Sequence, residues 1–203
     1  MKEMKVSNPI KWLILTVAFL TVTIACGNAD ADKPASRPLP RAWPRPPVTV
    51  SDSMDLVPGL PVGVSVNPAA QYEIKETDPP SLTVRYPGLE ADIYYTFVIP
   101  VNEDMRKKII EARQERISLN LNGLPAQTLH GQSSIPSAEA IVVVAQSGTQ
   151  TPVQLLADLP QCVITATAFL HNPRVTQMYD SIKPVIDILR HDIMKSVSMF
   201  EYK

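Results

Sequence analysis

Six of the 20 prolines in this 203-residue chain fall within residues 27–47 (GNADADKPASRPLPRAWPRPP), so the core has to be built from residue 48 onward. The segment has almost no aliphatic side chains and cannot bury enough apolar surface to fold alone. Proline-rich chain favours extended polyproline II at about 3.1 Å per residue, so residues 27–40 would reach roughly 40 Å. Trp43, among Pro44, Pro46 and Pro47, is the first residue expected to dock on the domain. The remaining stretch, 48–203, has the size of one domain and can hold a sizeable core without disulfides or metals.

What precedes the proline-rich segment reads as an address. Lys2, Lys5 and Lys11 are followed by residues 12–24 (WLILTVAFLTVTI), 13 residues without a charge, and then by Ala25 and Cys26. A basic start, a short apolar run and a small residue before a boundary describe a secretory signal over residues 1–25. A permanent span needs about 20 apolar residues, so this run is short for one. Thr23-Ile24-Ala25-Cys26 resembles a bacterial lipobox, although leucine is commoner than threonine at its first position. A small residue before the cysteine lets a peptidase reach the bond, and the thiol carries a diacylglycerol thioether. Cys26 is therefore the expected lipidation site. Each buried CH₂ contributes about 0.8 kcal/mol, so several acyl chains would hold the protein firmly on a membrane. The competing readings are an ordinary cleaved signal with a chance cysteine and an uncleaved anchor.

Composition narrows the class of activity. The whole chain carries 19 Lys+Arg and 20 Asp+Glu, a formal charge of −1, which gives no basic field for nucleic acid. Two cysteines exclude a disulfide framework and a four-cysteine zinc site. With Cys26 acylated, Cys162 becomes a lone thiol in an apolar run, expected to be buried rather than nucleophilic. His130, His171 and His191 are scattered and stand in no HExxH, HxH or CxxC setting, so no metal site is expected. His191 stands beside Asp192, but adjacent positions of a helix do not face one another. There is no dinucleotide or P-loop glycine pattern and no cofactor is implied. Residues 63–67 (GVSVN) approach a nucleophile elbow but lack its last glycine, so Ser65 is expected to be an ordinary strand residue. A hydrolase would need Ser65, or Cys162 with His171, to converge in a cleft.

Period-two alternation marks strands near 62–66, 82–86, 92–99 and 162–170, and a hairpin from 141–145 through 146–150 to 153–157. Residues 102–119 predict a helix capped by Asn102, with Glu103/Lys107 and Asp104/Lys108 spaced for ion pairs and Met105, Ile109, Ile110 and Ile117 as its apolar side. Its dense charge reads as a solvated face. Residues 181–198 predict a second helix, capped by Asp180 or Ser181, with Pro184 in its first turn. Its apolar stripe of Ile182, Val185, Ile186, Leu189, Ile193 and Val197 is expected to pack on the sheet. Residues 120–139 read as one long polar loop and a first candidate for a partner contact. The order of elements implies an α+β fold, a largely antiparallel sheet packed with two main helices.

Several dispersed motifs resemble a known family. Pro40-Arg41-Ala42-Trp43, residues 61–72 (PVGVSVNPAAQY) and residues 84–97 (VRYPGLEADIYYTF) are similar to the opening and first strands of the GldD family of gliding-motility lipoproteins of the Bacteroidetes. Asn172, Asp180-Ser181-Ile182, Pro184-Val185, Asp192-Ile193 and Phe200-Glu201-Tyr202 fall in the family's order near the end of the chain. The likeness spans roughly residues 38–203. The chain departs from it in aliphatic residues around Pro61 and Leu82, and in Thr165 where an arginine is expected. The resemblance implies a Mog1/PsbP-like sandwich and a non-catalytic accessory role in gliding and type IX protein secretion. The implied partners are other envelope proteins of that machinery and the membrane itself, with no small-molecule substrate. The implied place is the cell envelope, on the outer membrane. Asp52-Ser53-Met54 matches the O-glycosylation pattern of that phylum. The alternative reading is a ligand-binding envelope lipoprotein, with an apolar pocket between helix 181–198 and the sheet.

Overall fold

The computed structural model describes residues 50–171 and 179–202, all within the compact unit Ala42–Lys203. The signal, Cys26, the proline-rich segment, Trp43 and Asn172 lie outside the described residues. In chain order come β1 (Asp55–Val57), β2 (Val62–Val66), β3 (Gln71–Lys75), β4 (Ser81–Tyr86), a 3₁₀ turn (Pro87–Leu89) and β5 (Ala91–Val98). Helix α1 (Glu103–Leu121) follows, then β6 (Ala126–Gly131), β7 (Glu139–Ala145), β8 (Val153–Leu159), β9 (Cys162–Leu170), helix α2 (Tyr179–Ser198) and β10 (Glu201–Tyr202).

Seven strands form one sheet in the order β3-β4-β5-β9-β8-β7-β6, with every neighbour antiparallel. A smaller sheet, β1-β2-β10, is antiparallel as well. The fold is thus α+β, as the element order implied. The pleat sorts the residues. Ala91, Ile93, Tyr95 and Phe97 of β5, Ile164, Ala166 and Ala168 of β9, and Val153, Leu155 and Ala157 of β8 all enter the core. α2 lies on that face and lays Ile182, Val185, Ile186, Leu189, Ile193 and Val197 into it, the stripe read from helical spacing.

α1 lies on the opposite face, over β8 and β9. Its start is set by Asn102, whose side chain accepts from the Met105 N–H at 2.8 Å. Its end is set by Asn122 in the left-handed region (φ 48°), followed by Gly123 (φ 77°), a stop that a glycine tolerates without strain. None of its residues is buried: Ile109, Ile110 and Ile117 are half-buried and Met105 is exposed. Polar bonds add to what these isoleucines contribute. The Arg106 guanidinium pairs with Asp158 and donates to the carbonyls of Leu159 (2.7 Å) and Pro160 (2.6 Å) at the β8–β9 turn. Near the other end Asn120 donates to the Gln154 side-chain carbonyl at 2.7 Å.

Four details correct the sequence expectations. Residues 120–139 are not one loop, because β6 occupies Ala126–Gly131. Its side chains are mostly exposed, so pairing with β7 rather than apolar alternation makes it a strand. α2 spans Tyr179–Ser198, which puts Asp180 and Ser181 inside the helix and Pro184 beyond its first turn. Among the described residues, Glu103 pairs with Arg106 (3.5 Å) rather than Lys107, because Arg106 is already fixed by the turn it grips. Finally β1, β3 and β10, too short or too polar to show a period, are strands.

Candidate functional site

The most concentrated polar chemistry in the described domain sits where α2 meets the sheets. Asp192 lies on the buried side of α2, between Leu189 and Ile193, and is 2% exposed. Its Oδ2 accepts from Asn67 Nδ2 at 3.0 Å and from the Tyr86 hydroxyl at 2.9 Å. Asn67 follows directly on β2 and Tyr86 ends β4, so one carboxylate oxygen ties three elements together. The other oxygen, Oδ1, is 3.3 Å from Nδ1 of half-buried His191. Adjacent positions do leave a helix in different directions; here the two side chains meet at their tips. Asn67 Oδ1 in turn accepts from the Ala69 N–H at 3.0 Å, which fixes the turn after β2.

Two tyrosines complete the cluster. Burial, with the negative charge of Asp192 behind it, pushes the Tyr86 phenol far above its ordinary value, so its proton stays in the bond to Asp192. Burial does the same to Tyr95, whose polar neighbours are Ser196 and Asp192. A buried acceptor satisfied by two donors is what a low-dielectric core requires. The cluster is enclosed, since Asn67 and Tyr86 are each 1% exposed. Its chemistry is orientation of α2 against β2 and β4.

A second group lies on the outer sheet face. His171 Nε2 is 3.1 Å from Asp92 Oδ2, and the Tyr94 hydroxyl donates to the same oxygen at 2.9 Å. The Phe169 ring meets the His171 ring edge-on at 5.5 Å. Beside them Arg85 pairs with Glu73 across β4 and β3. The Tyr94 phenol is held above its ordinary value, first by partial burial and then by its bond to Asp92. A third feature is a groove of about 110 Å³ under α1, lined by Ile110, Gln114, Glu139, Ile141, Leu156 and Asp158.

The residues singled out in the sequence do not converge. Ser65 is 2% exposed within β2. Cys162 is 1% exposed at the start of β9, and burial pushes its thiol up to about 11. His171 follows the far end of that nine-residue strand, roughly 27–30 Å away at about 3.3 Å per residue. His130 is exposed on β6 and far along the sheet from both. Ser53 is exposed ahead of β1, its carbonyl accepting from the Ser51 hydroxyl at 2.7 Å. Among the described residues no group of His, Cys, Asp and Glu is arranged to hold a metal ion, and no helix is long and apolar enough to cross a membrane. Sequence reading missed the Asp192 cluster. Its signal was a carboxylate three residues after Leu189, intruding on an otherwise apolar stripe. No protein-family model and no curated protein matches the chain.

Proposed function

We propose that this chain is a lipid-anchored, non-catalytic accessory protein of the cell envelope, fastened to the outer membrane by a thioether at Cys26. The observation that carries this reading is the run from residue 12 to Cys26: an apolar stretch too short to span comfortably, a small residue, and a thiol. The proline-rich segment behind it supports the reading as a spacer. Membership of a gliding and type IX secretion machine rests on the GldD-like motifs, and the partners are then other envelope proteins of that machine. The enclosure of the strongest polar cluster supports an architectural role for the domain.

The alternative, a ligand-binding lipoprotein, would draw on the groove under α1. At about 110 Å³ that groove is well below the roughly 300–1,000 Å³ of small-molecule pockets, and it lies on the α1 face rather than beneath α2.

Two measurements test the reading. Cys26→Ala should abolish metabolic labelling with a fatty acid and move the protein out of the membrane fraction or block its processing. Unchanged labelling and fractionation would remove the anchor. Deletion of the gene in a gliding host should impair spreading and secretion; unaffected spreading and secretion would remove the machine while leaving the anchor standing.

A further inference from the structure

The two edges of the seven-stranded sheet differ. The β3 edge carries Glu73 and Lys75, followed by Glu76 and Asp78, the charges that discourage strand addition. The β6 edge, AQTLHG, carries no Lys, Arg, Asp or Glu and is six residues long, with Ala126, Gln127, Thr128 and His130 exposed. Which backbone groups it offers follows from two bonds. Gln146 N–H donates to the Pro125 carbonyl at 2.8 Å, and Ala145 N–H donates to the Pro152 carbonyl at 2.8 Å. Residues 144 and 146 of that chain segment therefore point toward β6 and 145 toward β8. With Gln127 opposite Val144, Leu129 opposite Val142 and Gly131 opposite Ala140, the bonds of Gln127, Leu129 and Gly131 run inward to β7. The N–H and C=O of Ala126, Thr128 and His130 point outward.

We infer that β6 is a self-complementary edge through which a second copy of this chain pairs, antiparallel and centred on Thr128. In that register Thr128 faces Thr128 of the other copy and Ala126 faces His130. Every outward N–H then meets an outward C=O, and the two-fold leaves none of them over. The side-chain pairs agree: Thr opposite Thr is favourable, alanine leaves room for the imidazole, and Gln127 meets Leu129 with no like charges opposed. An extended segment of another protein could use the same backbone groups, but the two-fold closure and the uncharged edge together favour the chain's own copy. The inference is independent of the anchor at Cys26.

The test is disulfide trapping on the purified full chain under mild oxidation. A hydrogen-bonded antiparallel pair separates its Cα atoms by about 5.5 Å, within disulfide reach. Thr128→Cys should give a non-reduced band at twice the mass of the reduced protein, above any background from the wild-type thiols. His130→Cys alone should not, because the two copies of residue 130 lie four positions apart in this register, whereas His130→Cys mixed with Ala126→Cys should link. Thr128→Pro removes only an outward N–H and spares the β6–β7 ladder. It should abolish the dimer in sedimentation while leaving the far-UV spectrum and the melting midpoint within a few degrees. Equal trapping at 128 and 130, or a dimer that survives Thr128→Pro in a folded protein, would overturn the register. If the Thr128→Cys variant gives no linked band above the wild-type background, the second copy is not the occupant.

Discussion

Removing the Asp192 carboxylate should unmask how much of the α2 docking is polar. Its Oδ2 accepts hydrogen bonds from Asn67 and Tyr86, and all three residues are enclosed. Asp192→Ala strips two buried donors of their acceptor, at about 1–3 kcal/mol each, so roughly 2–6 kcal/mol of stability is lost. Tyr86→Phe removes a single bond to a charged acceptor, worth about 1.5–3 kcal/mol. In the Asp192→Ala background the same Tyr86→Phe change removes a donor that is already unpaired, and its cost should fall below about 0.5 kcal/mol. The coupling energy of the cycle is then roughly 1.5–3 kcal/mol. Asp192→Asn, with its amide oxygen placed toward Asn67 and Tyr86, should cost much less than alanine. Urea unfolding reads these values directly. Thermal unfolding should show a fall of roughly 4–8 °C for a 2 kcal/mol loss in a domain of this size. If Tyr86→Phe costs the same with and without Asp192, the two side chains are not coupled and the cluster is not what holds α2.

Thiol titration separates Cys162 from Cys26. The native protein should react at neither, and the denatured, lipidated protein at Cys162 alone; reaction at both cysteines on denaturation would show Cys26 to be unmodified. Because burial shields the Cys162 thiol and holds it up to about 11, native alkylation should stay far slower than that of the denatured chain from pH 7 to 9. The unfolded chain ionises first, from its ordinary value near 9, so stability should decline as pH rises from about 9 to about 11; Cys162→Ala should remove the decline between about 9 and 10 and leave the one above 10 that the buried Tyr86 and Tyr95 phenols contribute. For α1, Arg106→Ala should raise amide exchange across Glu103–Leu121 at least ten-fold relative to β5 and β9. Arg106→Lys should rescue little of it, since an ammonium cannot span Asp158 and the Leu159 and Pro160 carbonyls as the guanidinium does. Unchanged α1 exchange in Arg106→Ala would show that the half-buried isoleucines alone hold the helix.

Strands β2, β4, β5, β7, β8 and β9 were readable because each carries a period-two or β-branched apolar run that only a buried sheet rewards. Helix α2 was readable for the same reason at a period of 3.6, and α1 from its cap and charge spacing. β3 and β6 were not. QYEIK and AQTLHG hold one partly buried apolar side chain each, so their conformation comes from the neighbour they pair with. The Asp192 cluster joins residues 125 and 106 positions apart, a proximity that no local pattern encodes.

Composition and short-range period were enough for the α+β class and the apolar stripe of α2, while the address at Cys26 and the proline-rich spacer are sequence readings that stand as proposals. Folding had to settle which carboxylate is buried, which strand is left as an uncharged edge, and that a guanidinium on α1 grips the β8–β9 turn. Those depend on contacts between residues far apart in the chain, where the cost of enclosing a polar group or leaving a backbone edge open is set only by what the fold places beside it.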